Sequence, residues 1–274
     1  MLQTANPSIS LRARCIHQVR LFFVALQFFT RIPIPRWVGF DPAWLHHASR
    51  YYPLVGLVVA AATSAVYLLA ALFLPQLVAV LLSTITGIYL TGAFHEDGFA
   101  DVCDGFGGGM TPARVLEIMT DSRVGAYGAI GIGLLLLLKC ATLFYLPVQA
   151  VIAALLIAHP LSRMISSVFI WRLDYVKGDG KAKPLAHRMS TAEMLIAALT
   201  AAMPILLMGF AGWISWYGIL AGMAAAGLMS TWLGKIFMRR IGGYTGDCLG
   251  AVQQVAEVAF YLGVLACMGN GILH

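Results

Sequence analysis

Long apolar runs fill this chain, and short polar stretches interrupt them at intervals set by bilayer thickness. Residues 54–74 are nearly all apolar, long enough to cross a bilayer as a helix of ~20 residues. Pro75-Gln76 then makes a tight turn, and residues 77–94 return. The same reading predicts spans over residues 130–146 and 148–171 with a turn at Pro147, over 192–210 and 214–234, and over 255–272. Residues 21–29 are apolar for about half the spanning length and run into Thr30-Arg-Ile-Pro-Ile-Pro35, where proline forbids helix continuation. An interfacial or re-entrant segment is expected there, behind a loosely ordered cytoplasmic tail of residues 1–19. Residues 20–274 then form a single membrane-embedded domain. The expected fold is all-α, a polytopic integral membrane protein of about seven transmembrane helices. Polar loops are expected at 172–188, which is basic, and at 235–250, which is rich in glycine.

Composition agrees: 60% of residues are apolar and 11% charged, which excludes an ordinary soluble globule. The net charge of +6 is a matter of topology and does not mark nucleic acid as a partner. Of eighteen Lys and Arg residues, Lys139 and Arg163 fall within predicted spans and the other sixteen fall on the side of the large loops. By the positive-inside rule that side, with the N-terminus, faces the cytoplasm, and the C-terminus lies outside. The surroundings are lipid, the membrane expected is the inner (cytoplasmic) one, and a homo-oligomer is allowed. Five scattered cysteines have neither metal-ligand nor redox spacing, and no signal-peptide order marks a cleaved leader.

Against this background the stretch Phe94-His-Glu-Asp-Gly-Phe-Ala-Asp-Val-Cys-Asp-Gly-Phe-Gly-Gly-Gly109 stands out. Asp97, Asp101 and Asp104 recur at i, i+4 and i+7, which stacks three carboxylates on one helix face. They are three of only twelve acidic residues. Repelling carboxylates so placed ask for a cation, and Mg²⁺, with oxygen ligands and an accompanying phosphate, is the expected one. The alternative is a solvated acidic face. Glu96 points away from the Asp97 face and is the weaker ligand.

Other polar positions extend this picture. Asp121, one short helix downstream, either joins the three aspartates as a fourth ligand or pairs with Arg114 or Arg123. His95 contacts phosphate or metal, or anchors at the interface. Lys139 lies inside an apolar run, where an unpaired charge is costly; the acidic cluster or a phosphate is its expected partner, with snorkelling as the alternative. His159 and Arg163 form a second inward polar spot around Pro160, which permits a local break. Gly242-Gly-Tyr-Thr-Gly-Asp247, downstream of Arg239 and Arg240, reads as a phosphate-binding loop in which Gly242, Gly243, Thr245 and Asp247 contact substrate. Arg172, Lys177, Lys181, Lys183 and Arg188 either grip an anionic substrate or serve topology.

Together these stretches closely resemble the cobalamin synthase family, the adenosylcobinamide-GDP ribazoletransferases. The matching segments are Phe29-Thr-Arg-Ile-Pro33, Pro53-Leu-Val-Gly56, His95-Glu-Asp-Gly-Phe-Ala-Asp-Val-Cys-Asp-Gly105, Leu116-Glu-Ile-Met-Thr-Asp-Ser-Arg123, Lys139 and Gly242-Gly-Tyr-Thr-Gly-Asp247. Glu96 and Phe99 stand where the family usually has an aliphatic residue and leucine. The resemblance implies attack of α-ribazole, or its 5′-phosphate, on adenosylcobinamide-GDP, with GMP leaving, adenosylcobalamin or its phosphate forming, and Mg²⁺ required. Asp97, Asp101, Asp104, Asp121 and Lys139 are the expected catalytic residues, the four aspartates also holding the metal, with Asp121 alternatively a general base. His95, Arg123 and the 242–247 loop bind substrate. The rivals are a corrinoid-binding transporter and an enzyme like the CDP-alcohol phosphatidyltransferases, whose aspartate helix is similar.

Overall fold

The computed structural model describes residues 11–176 and 188–269. Lys177, Lys181 and Lys183, with the basic-loop reading that rests on them, lie outside the described residues, as does residue 272. Among the described residues eleven α-helices follow one another: α1 Leu11–Phe29, α2 Trp44–Ala48, α3 Tyr52–Ala71, α4 Gln76–Thr91, α5 Phe94–Gly108, α6 Pro112–Ile118, α7 Ala126–Phe144, α8 Val148–Arg172, α9 Thr191–Phe210, α10 Trp216–Ile241 and α11 Gly246–Gly269. Six segments among the described residues are long and apolar enough to cross a membrane: Trp44–Ala71, α7, α8, α9, α10 and Gly246–Met268. A seventh arises if α4 and α5, bent by 88° at their junction, count as one broken span. The chain is a multi-pass membrane protein.

Three boundaries differ from the expectations. Residues 11–19 are no loose tail: they are the first half of α1. Its inner face, Val24, Ala25, Leu26 and Phe29, is buried in the main core, and that burial extends the helix backwards through polar residues. The polar stretch 235–250 is no long loop, because α10 runs to Ile241 and α11 starts at Gly246. Only residues 242–245 connect them. Pro160 breaks nothing; α8 continues through it, its neighbours being held by tertiary packing.

The bundle is built around α11 and α8. α11 packs against α10, α5, α8 and α7, and α8 packs against α3 and α9 as well. Close approach of α3 and α8 depends on Gly56. A Cβ there would meet the His159 carbonyl oxygen at 2.6 Å and Pro160 Cα at 2.8 Å. On the far side of the bundle, Gln76 donates to the carbonyls of Phe144 (2.9 Å) and Leu146 (2.7 Å), tying two short turns together.

These contacts separate two glycine substitutions. Gly56→Ala must push rigid backbone aside and should cost about 1–3 kcal/mol. Gly133 in α7 faces open space, so Gly133→Ala should be neutral or stabilise by up to about 1 kcal/mol through helix propensity. Unfolding midpoints in mixed micelles measure both; equal effects would contradict this packing.

Candidate active site

The acidic helix α5 is steered by what its inner face must touch. His95, Glu96, Gly98 and Ala100 are buried, whereas Asp97 is exposed and Asp101 half-buried. Gly98 lets the first turn of α11 come close: a Cβ there would sit 2.9 Å from the Asp247 carbonyl oxygen. Glu96 turns inward and accepts a hydrogen bond from Gln254 Nε2 (2.9 Å), as its helical position away from Asp97 requires. One residue earlier, His95 is 4% exposed and stacks on Phe29 with ring centroids 5.4 Å apart. It faces the core and not the aspartate row.

Along α5 the carboxylates descend over ~10 Å, at 1.5 Å per residue, from exposed Asp97 to buried Asp104. Asp104 ends the row in a cleft of about 550 Å³ between α5, α6 and α7, a size suited to a small ligand. Arg114, Glu117, Asp121 and Arg123 line the same cleft, so two of the four predicted aspartates, Asp104 and Asp121, do meet there. Each already has protein partners. Asp104 accepts the Gly125 amide at 2.7 Å and the Gly128 amide at 2.8 Å, capping α7. Asp121 pairs with Arg123 (2.6 Å), and that guanidinium, by hydrogen bonding, holds its carboxyl down at about 2. Arg114 pairs with Glu117 at 2.8 Å. Among the described residues, no three His, Cys, Asp or Glu side chains gather into a metal-holding group.

The 242–247 segment is chiefly a joint. Gly242 ends α10 at φ +77°, and a Cβ on Gly243 would lie 2.2 Å from the Asp174 carbonyl oxygen. Tyr244 exchanges backbone hydrogen bonds with Asp174 and Val176, both 3.0 Å. Thr245 is fully buried, and its hydroxyl accepts the Cys248 amide at 3.2 Å, capping α11. Asp247, in the first turn of α11, is delivered beside Gly98. Arg240 binds the carbonyls of Gly109 (2.5 Å) and Phe106 (3.3 Å) at the end of α5. Arg172 stacks over Trp171 at 3.9 Å, and Arg188 pairs with Asp174 at 2.7 Å.

Lys139 finds neither the aspartate row nor open water. It is 5% exposed and lies 2.5 Å from Glu257 Oε1 on α11. Glu257 also meets His159 Nδ1 (3.1 Å), Gln253 Nε2 (2.6 Å) and the Tyr261 hydroxyl (3.1 Å). Gln254, which holds Glu96, donates to Gln253 as well (3.0 Å). Arg163 donates to the His159 carbonyl (3.0 Å) and lines the same polar pocket as Glu96 and Glu257. Two cations and two carboxylates are thus buried together directly beneath α5. Glu257 escapes the sequence reading, although the criterion that singles out Lys139, an ionisable residue at membrane depth, applies to it equally.

The sequence that builds this arrangement has relatives. A family model described as cobalamin-5-phosphate synthase matches residues 21–265. The chain belongs to that family. An adenosylcobinamide-GDP ribazoletransferase of Shewanella frigidimarina is 44% identical over 257 residues, covering 92% of this chain and 96% of the relative. One from Leptothrix cholodnii is 45% identical over 264 residues, covering 93% and 98%, and one from Ralstonia pickettii is 44% identical over 254 residues, covering 90% and 96%. No solved structure matches the chain. These matches favour neither the transporter nor the phosphatidyltransferase-like reading.

The cap at Asp104 makes a prediction separate from chemistry. Asp104→Ala leaves the Gly125 and Gly128 amides unpaired and should cost about 1–2 kcal/mol. Amide exchange should rise at 125–128, while Asp104→Asn, which still accepts, should lose less. Unchanged protection in Asp104→Ala would remove the capping role.

Proposed function

We propose that this chain carries out the transfer for which its relatives are named. A hydroxyl of α-ribazole, or of its 5′-phosphate, attacks the cobinamide-linked phosphorus of adenosylcobinamide-GDP. A new P–O bond forms, the bridging P–O bond breaks with its electron pair leaving on GMP, and the hydroxyl proton is released. The product is adenosylcobalamin or its phosphate, the closed nucleotide loop of the coenzyme. The observation that carries this reading is the carboxylate row of α5 running into a cleft that also holds Arg114 and Arg123.

In that cleft the two guanidiniums meet the diphosphate through charge-assisted hydrogen bonds, using N–H donors beyond those that hold Glu117 and Asp121. Asp121, held at about 2 by Arg123, is too weak a base near neutral pH to take the ribazole proton. We assign it the orientation of Arg123. The 242–247 joint and Lys139 support the site from below.

Magnesium remains part of the proposal, on the chemistry of the donors. Asp97 and Asp101 offer hard carboxylate oxygens one turn apart, and Mg²⁺ commonly takes one or two carboxylates and completes its shell with substrate phosphates and water. We assign Asp104, which caps α7, and Asp121, which pairs with Arg123, to shaping the cleft. When bound, the metal supplies neutralisation of the charge that develops on the departing GMP. We place this face in the cytoplasm and the chain in the inner (cytoplasmic) membrane, supported by the one-sided distribution of Lys and Arg. Lipid surrounds the bundle.

Purified protein in nanodiscs, given adenosylcobinamide-GDP, α-ribazole and Mg²⁺, should release GMP and a cobalamin product in equal amounts. Asp97→Asn or Asp101→Asn should cut turnover roughly 100-fold or more, about 2.7 kcal/mol, and raise the Mg²⁺ concentration needed. Asp121 keeps its charge until pH falls through about 2. Asp121→Asn should therefore lower the pH–rate profile between about pH 5 and 9 without moving its limbs. Absence of GMP release, or full activity of both Asn variants, would contradict the proposal.

A further inference from the structure

A second cavity lies on the other side of α5 from the cleft and closes against the first turn of α11. Its walls include Phe28, Phe29, Tyr52, Phe94, His95 and Arg163. Four of these rings meet edge to face: Phe29 with Tyr52 at 4.5 Å, and Phe94 with Phe28 and with Phe29, both at 5.4 Å. His95 stacks on Phe29 from the α5 side. Two buried polar atoms belonging to these walls have no hydrogen-bond partner, the Tyr52 hydroxyl and Arg163 Nε. Tyr52 and Arg163 are each 3% exposed. Buried polar groups are normally paired, and an orphan calls for an absent partner. Both can donate. Gln253, which also lines the cavity, has its amide nitrogen and oxygen engaged by Ser162, Glu257 and Gln254.

We propose that this cavity is the subsite for the aromatic base of the ribazole acceptor; the inference rests on the transferase reading above. A ribosylated benzimidazole is planar, apolar at its edges and carries a ring nitrogen that accepts a hydrogen bond without offering an N–H. Aromatic walls with unpaired donors match that pattern. Guanine, the other base among the substrates, presents two N–H donors along its pairing edge and needs acceptors for both, whereas of the two unpaired groups only the Tyr52 hydroxyl can accept.

The cavity now has about 30 Å³ of water-accessible space, room for water but not for a bicyclic ring. Entry requires one wall to move, and Phe94 is placed to do so. It is 38% exposed and follows the α4–α5 elbow. There Gly92 sits at φ +65° and Ala93 at φ +58°, the latter a strained conformation for a residue with a Cβ. Phe94 lies one turn before Asp97 on α5, at i and i+3, so a base that enters past Phe94 leaves its ribose towards the carboxylate row.

Tyr52→Phe tests this with little risk to folding, because the hydroxyl it removes has no partner in the free protein. Steady-state kinetics should show KM for α-ribazole raised about five- to tenfold, the worth of one hydrogen bond. KM for adenosylcobinamide-GDP should be unchanged and the unfolding midpoint equal or higher. Benzimidazole alone should inhibit competitively against the acceptor and lose potency in Tyr52→Phe by a similar factor. Unchanged KM for both substrates would overturn the proposal, as would a rise confined to adenosylcobinamide-GDP, which would point to guanine. If the wild-type protein releases no GMP, the transferase reading fails by itself. Equilibrium dialysis with α-ribazole then decides the cavity alone: weaker binding by Tyr52→Phe upholds it and equal binding removes it.

Discussion

Glu257 and Lys139 form an ion pair where charge is most expensive, inside a bundle surrounded by lipid. Each alone would be a large penalty; together, with His159, Gln253 and Tyr261 around the carboxylate, they become a joint among α7, α8 and α11. Gln254 carries the joint on to α5 through Glu96. Buried pairs of this kind add little net stability over apolar packing, but they penalise every arrangement that separates the partners. Here the penalised arrangements are those that part α7 from α11, and α5 is tied to that pair of helices through Glu96.

The acidic helix depends on that restriction. Successive residues on a helix point about 100° apart, so fixing Glu96 inward turns Asp97 outward. The close contact at Gly98 and the Arg240 anchor at the far end prevent slippage along the axis. Asp104 then reaches the start of α7, and its two amide contacts close the cleft. A polar cleft is thereby built at the edge of an apolar protein: the interior sets the orientation of one helix, and the end of that helix and the neighbouring loop line the cleft.

Much of this was legible in the chain. Apolar runs with prolines between them marked the spans, and the i, i+4, i+7 aspartates marked the helix that runs into the cleft. What escaped was decided by tertiary contact. The polar first half of α1 is helical because its continuation packs into the core, and α10 reaches Ile241 although Lys235, Arg239 and Arg240 read as loop. Spacing did not show that the Thr245 hydroxyl caps α11, or that Arg240, just upstream of that loop, binds carbonyls of α5. Lys139 was visible as a charge needing a partner, yet spacing alone cannot join residues 139 and 257. Only folding brings α7 and α11 together.

The most direct test of the account is therefore a double-mutant cycle on that pair. Unfolding in mixed micelles and GMP release would be measured for Lys139→Met, Glu257→Gln and the double variant. Each single change should cost about 3–5 kcal/mol by leaving its partner buried and unpaired, and should lower turnover by loosening α5. The double variant should recover at least about 2 kcal/mol relative to the sum of the singles and regain part of the turnover. Strictly additive losses, or single variants that unfold and turn over like the wild type, would contradict the claim that this ion pair holds the site in place.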